Sequence, residues 1–82
     1  MTGWERLSAV SATNITDGKT VSVDCPAGKR LLGGGGLTSN ADVYIYASYP
    51  FDDDTWTVSA IEDSLPTPTT WDVTAWAICA SV

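Results

Sequence analysis

Thr70–Ala80 reads TWDVTAWAICA. Strand side chains alternate between two faces, so Trp71, Val73, Ala75, Ala77 and Cys79 share one face. The opposite face begins polar, with Asp72 and Thr74, and then turns apolar with Trp76, Ile78 and Ala80. A segment apolar on both sides from Trp76 onward predicts a central strand. Fifteen residues earlier, Trp56-Thr57-Val58-Ser59-Ala60 has the same form, W-x-V-[S/T]-A, as Trp71-Asp72-Val73-Thr74-Ala75. The two segments read as equivalent strands of one sheet system.

Outward from that pair, the rest of the chain is also strand and turn. Lys19–Cys25 alternates Val21, Val23 and Cys25 with Thr20, Ser22 and Asp24, a half-buried pattern, and Asp17-Gly18 ahead of it is a hairpin signal. Met1–Thr16 spaces Trp4, Leu7, Val10 and Ile15 among small polar residues and reads as an irregular first strand. Pro26-Ala27-Gly28 breaks the next run, and Lys29–Leu32 resumes it before Gly33–Gly36. Four consecutive glycines imply a bulge or a close backbone approach. They are not a phosphate cradle: Gly18-Lys19-Thr20 has the right ending, but Thr13 stands where the first glycine belongs. Val43–Pro50, VYIYASYP, is again apolar or aromatic on both faces, and Ser64–Thr69 with its two prolines reads as an ordered, exposed connection. No helical periodicity occurs. The expectation is one all-β domain spanning residues 1–82, a small antiparallel β-sandwich or barrel.

Eighty-two residues bury only a modest core, so a chain of this size needs a covalent staple or a partner. Cys25 and Cys79 are its only cysteines, and both fall in phase with the inward residues of their strands. A disulfide is the leading reading, and two buried thiols acting as small hydrophobes are the other. The cross-link would contribute about 4 kcal/mol in the chain-entropy description and would place the protein in an oxidising setting. Two strands with apolar or aromatic residues on both faces exceed what one small core can cover. Some of Tyr44, Tyr46 and their neighbours therefore meet another subunit or a ligand, or else complete a two-layer core.

Charge narrows the functions. Four cations against ten acids give a net charge of −6, which repels phosphate backbones and anionic lipid; neither nucleic-acid binding nor membrane insertion is expected. No apolar run approaches a membrane-spanning length, and no basic stretch followed by an apolar one opens the chain. With no histidine, Ser-His-Asp, Cys-His and His-containing zinc sites are excluded. A glycosidase-like carboxylate pair could only come from Asp42, Asp52, Asp53, Asp54, Glu62, Asp63 and Asp72, and so small a fold offers little room for the cleft it needs. No enzyme, cofactor or metal is expected. Asp52-Asp53-Asp54 lacks the D-x-D-x-D-G spacing of a calcium loop and reads as a solvated hairpin connection. Asn14-Ile15-Thr16 fits an N-glycosylation acceptor, a pattern that chance often produces.

Several pieces together resemble a known module: Gly3-Trp4-Glu5, Cys25-Pro26-Ala27-Gly28-Lys29, Leu32-Gly33-Gly34-Gly35, Ser48-Tyr49-Pro50, Trp56–Ala60 and Trp71–Ala80. Over nearly the full chain they look like a small domain of bacterial extracellular proteins and of phage tail fibres. That resemblance implies a virion-surface or extracellular location and a distal, often trimeric, tip that touches a host-surface glycan or protein. Tyr44, Tyr46, Tyr49, Phe51, Asp52, Asp53 and Asp54 are then the candidate contacts, with aromatic rings to stack on sugars and carboxylates to accept their hydroxyls. The alternative is a trimerisation or capping module in which the tyrosines and Trp76 form interface core.

Overall fold

The computed structural model describes residues 2–14, 18–39, 43–62 and 70–81. Asp17, Asp42, Asp63 and the Ser64–Thr69 connection lie outside that set, as do Ile15 and Thr16 of the glycosylation pattern. Six strands occur in chain order: β1 (Thr2–Val10), β2 (Gly18–Asp24), β3 (Arg30–Thr38), β4 (Val43–Pro50), β5 (Thr55–Glu62) and β6 (Val73–Ser81). They form two three-stranded antiparallel sheets, β1-β6-β3 and β2-β5-β4, which pack face to face. The fold is a small disulfide-linked sandwich, 45 × 17 × 16 Å along its principal axes.

The two W-x-V-[S/T]-A segments supply the middle strand of each sheet, one β5 and the other β6. Both bury their Val and Ala positions: Val58 and Ala60 on one side, Val73 and Ala75 on the other, are fully enclosed. Trp71 precedes β6, pairs with Asn14 across an isolated bridge and is the largest fully buried side chain. The first strand is irregular as expected, with a bulge between Thr2 and Glu5.

Two expectations need correction. Asp17-Gly18 does not open a β1–β2 hairpin, because β1 pairs with β6 and β2 with β5, in different sheets. The local turn preference yields to the inward alternation of Val21 and Val23, which seats β2 against β5. Nor does the strand after Lys29 stop at the glycines: β3 runs through all four and pairs with β6 as far as Thr38.

The glycines do what their missing side chains allow. A bulge between Leu31 and Gly33 resets the alternation, so that Gly34 and Gly36 oppose Ala77 and Ala75 and face the other sheet. A Cβ at Gly34 would overlap the Trp56 indole and the Trp76 carbonyl, and one at Gly36 would lie 2.7 Å from Val58 Cγ1. At Gly33 and Gly35, on the outer side, an added Cβ meets nothing within 4 Å. Ahead of β3, Gly28 takes a φ of 84° in a turn closed by the Lys29 N–H donating to the Pro26 carbonyl at 3.1 Å, a backbone geometry that favours glycine.

β2 crosses over β6 in the same direction, and the pair is joined at both ends. At one end the Cys25–Cys79 disulfide spans 5.8 Å between Cα atoms. At the other, Lys19 takes an inward strand position. Its Nζ donates to the Trp71 carbonyl (2.7 Å), Asn14 Oδ1 (2.7 Å) and the Ala12 carbonyl, and lies 4.8 Å from the Trp71 ring centre. A partly buried ammonium so enclosed keeps hydrogen-bond and cation–π partners in place of water.

Two stability outcomes follow from this packing. Replacing both cysteines by serine is expected to lower unfolding free energy by about 4 kcal/mol, read from urea titrations of the oxidised parent and the variant. Gly34→Ala is expected to destabilise by about 3 kcal/mol through overpacking, whereas Gly33→Ala, one residue away, should be neutral or slightly stabilising in the same assay.

Candidate functional site

β4 is an edge strand, paired only with β5 among the described residues, and it carries the candidate tyrosines. Alternation and pairing put Tyr44 opposite Ile61 and Tyr49 opposite Thr57, both on the outer face of the β2-β5-β4 sheet. Val43 and Ile45 point inward, Val43 into the buried core and Ile45 against it. Tyr46 occupies the bulge between Ile45 and Ala47 and is 62% exposed. Tyr44 and Tyr49 are exposed as well, and so is Phe51 at the start of the β4–β5 connection. Among the described residues, then, the tyrosines do not complete the interior; Trp56 and Trp71 supply the aromatic bulk there.

The acidic connection is held firmly by its backbone. Asp52 Oδ1 accepts from the Asp54 N–H at 2.8 Å, and the Phe51 N–H donates to the Thr55 carbonyl at 2.8 Å. The Asp54 carbonyl accepts from the Cys25 N–H (2.7 Å) and the Asp53 carbonyl from the Leu31 N–H (3.1 Å). Thr55 Oγ1 donates to Asp24 Oδ1 at 2.6 Å. The hairpin is thereby joined to the β2–β3 connection beside the disulfide. Its Asp53 side chain is 87% exposed and meets Arg30 only at 3.5 Å, an ion pair too solvated to contribute much.

An open, mostly polar depression lies against this hairpin, lined by Gly28, Lys29, Arg30, Asp53 and Asp54. Lys29 is committed on its far side, donating to Glu5 at 3.0 Å and to the Gly3 carbonyl at 2.7 Å. No group of three or more His, Cys, Asp or Glu side chains among the described residues is arranged to hold a metal ion.

The seven candidates form a strip along one edge of the sandwich rather than a single pocket. Tyr49, Phe51 and Asp52–Asp54 gather at the hairpin. Tyr44 lies about 16 Å away along the strand, at roughly 3.3 Å per residue. One sugar ring cannot touch both ends, but a short oligosaccharide can.

Beside the strip lies a feature the sequence reading did not single out. Ser22 Oγ and Thr57 Oγ1 are 2.8 Å apart, and Thr20 Oγ1 and Ser59 Oγ pair in the same way at 2.9 Å. Across the sheet these make rows, Tyr49–Thr57–Ser22 and Ala47–Ser59–Thr20, on the outer face. Thr57 and Ser59, beside the rings, are themselves buried at 5 and 8% exposure, so the hydroxyls of these rows that stay open to a ligand are those of the exposed Thr20 and Ser22 on β2. The signal was present as Thr and Ser at every second position of both strands, which predicted an outward polar face but not the cross-strand pairing.

Comparison of the chain with protein-family models, with curated proteins and with solved structures finds no match.

Thr57→Val keeps the side-chain shape and removes the hydroxyl beside Tyr49. It is expected to change unfolding free energy by no more than about 1 kcal/mol, measured by urea titration, because Ser22 is exposed and can turn to water.

Proposed function

We propose that this domain is a non-catalytic recognition module that binds a host-surface glycan through the β4 edge and the β4–β5 hairpin, as the distal part of a phage tail fibre or a similar extracellular fibre. The observation that carries the reading is the run of exposed rings, Tyr44, Tyr46, Tyr49 and Phe51, along one sheet edge, with the exposed carboxylates of Asp52–Asp54 beside them and the exposed hydroxyls of Thr20 and Ser22 across the sheet. Rings stack on the apolar faces of sugars, and the hydroxyls and carboxylates pair with their hydroxyl groups. The disulfide suits an oxidising, extracellular setting. In this reading the module acts as a homo-oligomer, a trimer in the fibre setting.

A structural role, as a trimerisation or capping module, is the second reading. It is favoured by the exposed Trp4, Leu37 and Trp76 of the other sheet, which are more than a solitary sandwich needs to show water.

The test is glycan-array binding of the oxidised domain with Tyr46→Ala, Tyr49→Ala and Asp53→Ala. All three side chains are exposed, so the fold should survive, as circular dichroism would verify, while affinity falls about tenfold or more for each ring removed. Undiminished binding by the folded triple variant would overturn the site, and a wild-type domain that captures no glycan would favour the structural role.

A further inference from the structure

We infer that the outer face of the β1-β6-β3 sheet is a self-association surface whose occupant is a second copy of this chain. The inference rests on the homo-oligomer part of the proposed function, names the surface responsible, and is independent of glycan binding on the other sheet.

The first ground is composition. Register places three rows across this face: Arg6–Ile78–Gly33, Ser8–Trp76–Gly35 and Val10–Thr74–Leu37. Trp4, Val10 and Leu37 are 67, 58 and 61% exposed, and Trp76, on the central strand, is 37% exposed. A central-strand tryptophan open to water on a two-layer sandwich has no role in the core, since the opposite side of β6 already fills it with Val73, Ala75, Ala77 and Cys79.

The second ground is charge. The chain carries −6 overall, so two copies repel wherever their carboxylates meet. These three rows hold one charged residue, Arg6, and the single carboxylate on the same side, Asp72, lies beyond their end, where it accepts from Thr13 Oγ1 at 2.9 Å. The other sheet's outer face ends in Asp24, and the hairpin beside it carries three aspartates. Copies of the chain therefore approach by the β1-β6-β3 face with the least repulsion.

Shape is the third. A surface that binds its own copy must carry both a ridge and the groove that receives it. Trp76 stands between Ser8 and Gly35, and above Gly33 and Gly35 the space is open. The ridge and the groove lie on adjacent strands, about 4.8 Å apart. A face nine residues long and three strands wide measures about 450 Å² in plan. Two copies pressed together on it bury about 900 Å² in plan, the size of weak, transient interfaces, so assembly should depend on concentration.

Sedimentation equilibrium of the oxidised domain from micromolar to millimolar concentration tests this, with Gly35→Glu, Trp76→Ser and, as a control on the opposite sheet, Tyr46→Ala. A side chain at position 35 enters open space, so Gly35→Glu should fold and keep its disulfide, while placing an unpaired carboxylate where the second copy sits. The expected result is an assembled wild type and Tyr46→Ala, with Gly35→Glu and Trp76→Ser dissociating at concentrations about a hundredfold higher than wild type, the effect of one unpaired charge or one lost anchor at an interface. A folded Gly35→Glu and Trp76→Ser that assemble like wild type would overturn the surface while sparing the oligomer. A wild type that stays monomeric throughout would overturn both.

Discussion

The sandwich depends on the contact between Trp56 and the backbone of β3. The indole occupies the space a side chain at Gly34 would need, and Val58 does the same at Gly36. Bulk on one sheet is matched by its absence on the other, which lets two short sheets close over a core in which Ala60, Ala75 and Ala77 sit among the valines and Trp71. A larger residue in either glycine position would force the sheets apart and open gaps beside every alanine. Glycine strands lose more backbone entropy on folding and pack no side chain of their own. Here that loss is offset by the full burial that Val58 and its alanine neighbours gain.

Around that contact, the two ends of β2 are fixed by different chemistry. The disulfide is covalent and insensitive to salt. The Lys19 cluster at the other end is a hydrogen-bonded cation over an aromatic ring, partly buried and so only weakly screened. Backbone hydrogen bonds then join the acidic hairpin to the disulfide end, which leaves its carboxylates displayed by a firm loop. The rings of β4 are likewise presented by an edge strand whose inner side is anchored by Val43 and Ile45. Rings and carboxylates displayed in this way lose little freedom when a ligand arrives.

Much of this was legible in the residues. The repeated W-x-V-[S/T]-A marks both central strands because a strand buried by neighbours on each side must be apolar at its inward positions, and Val and Ala are what this thin core admits. The phase of Cys25 and Cys79 told of their pairing because each follows the inward alternation of a strand. A count of faces against available core left Tyr44 and Tyr46 either outward or in a second core layer, and the structure has them exposed. Other features depended on contacts between segments far apart in the chain. Lys19 read only as one of four cations, since nothing nearby reveals that Trp71, fifty-two positions on, arrives beneath it. Asp17-Gly18 carried a hairpin preference that long-range pairing overrode. The glycine run concealed a strand because its inward glycines are defined by what Trp56 and Val58 bring from the facing sheet.

The pairing of Thr2 with Ser81 sets how the domain would bear mechanical load. Tension applied through the two chain ends falls on the last rungs of one antiparallel ladder and opens them singly, as a zipper does, instead of shearing many at once. Peeling from the Ser81 end meets Cys79 within two residues, and there the pull passes through sulfur into the end of β2 on the facing sheet. The cross-link thus acts as a stop on the zipper, and reduction would turn a domain that resists traction into one that unravels along β6.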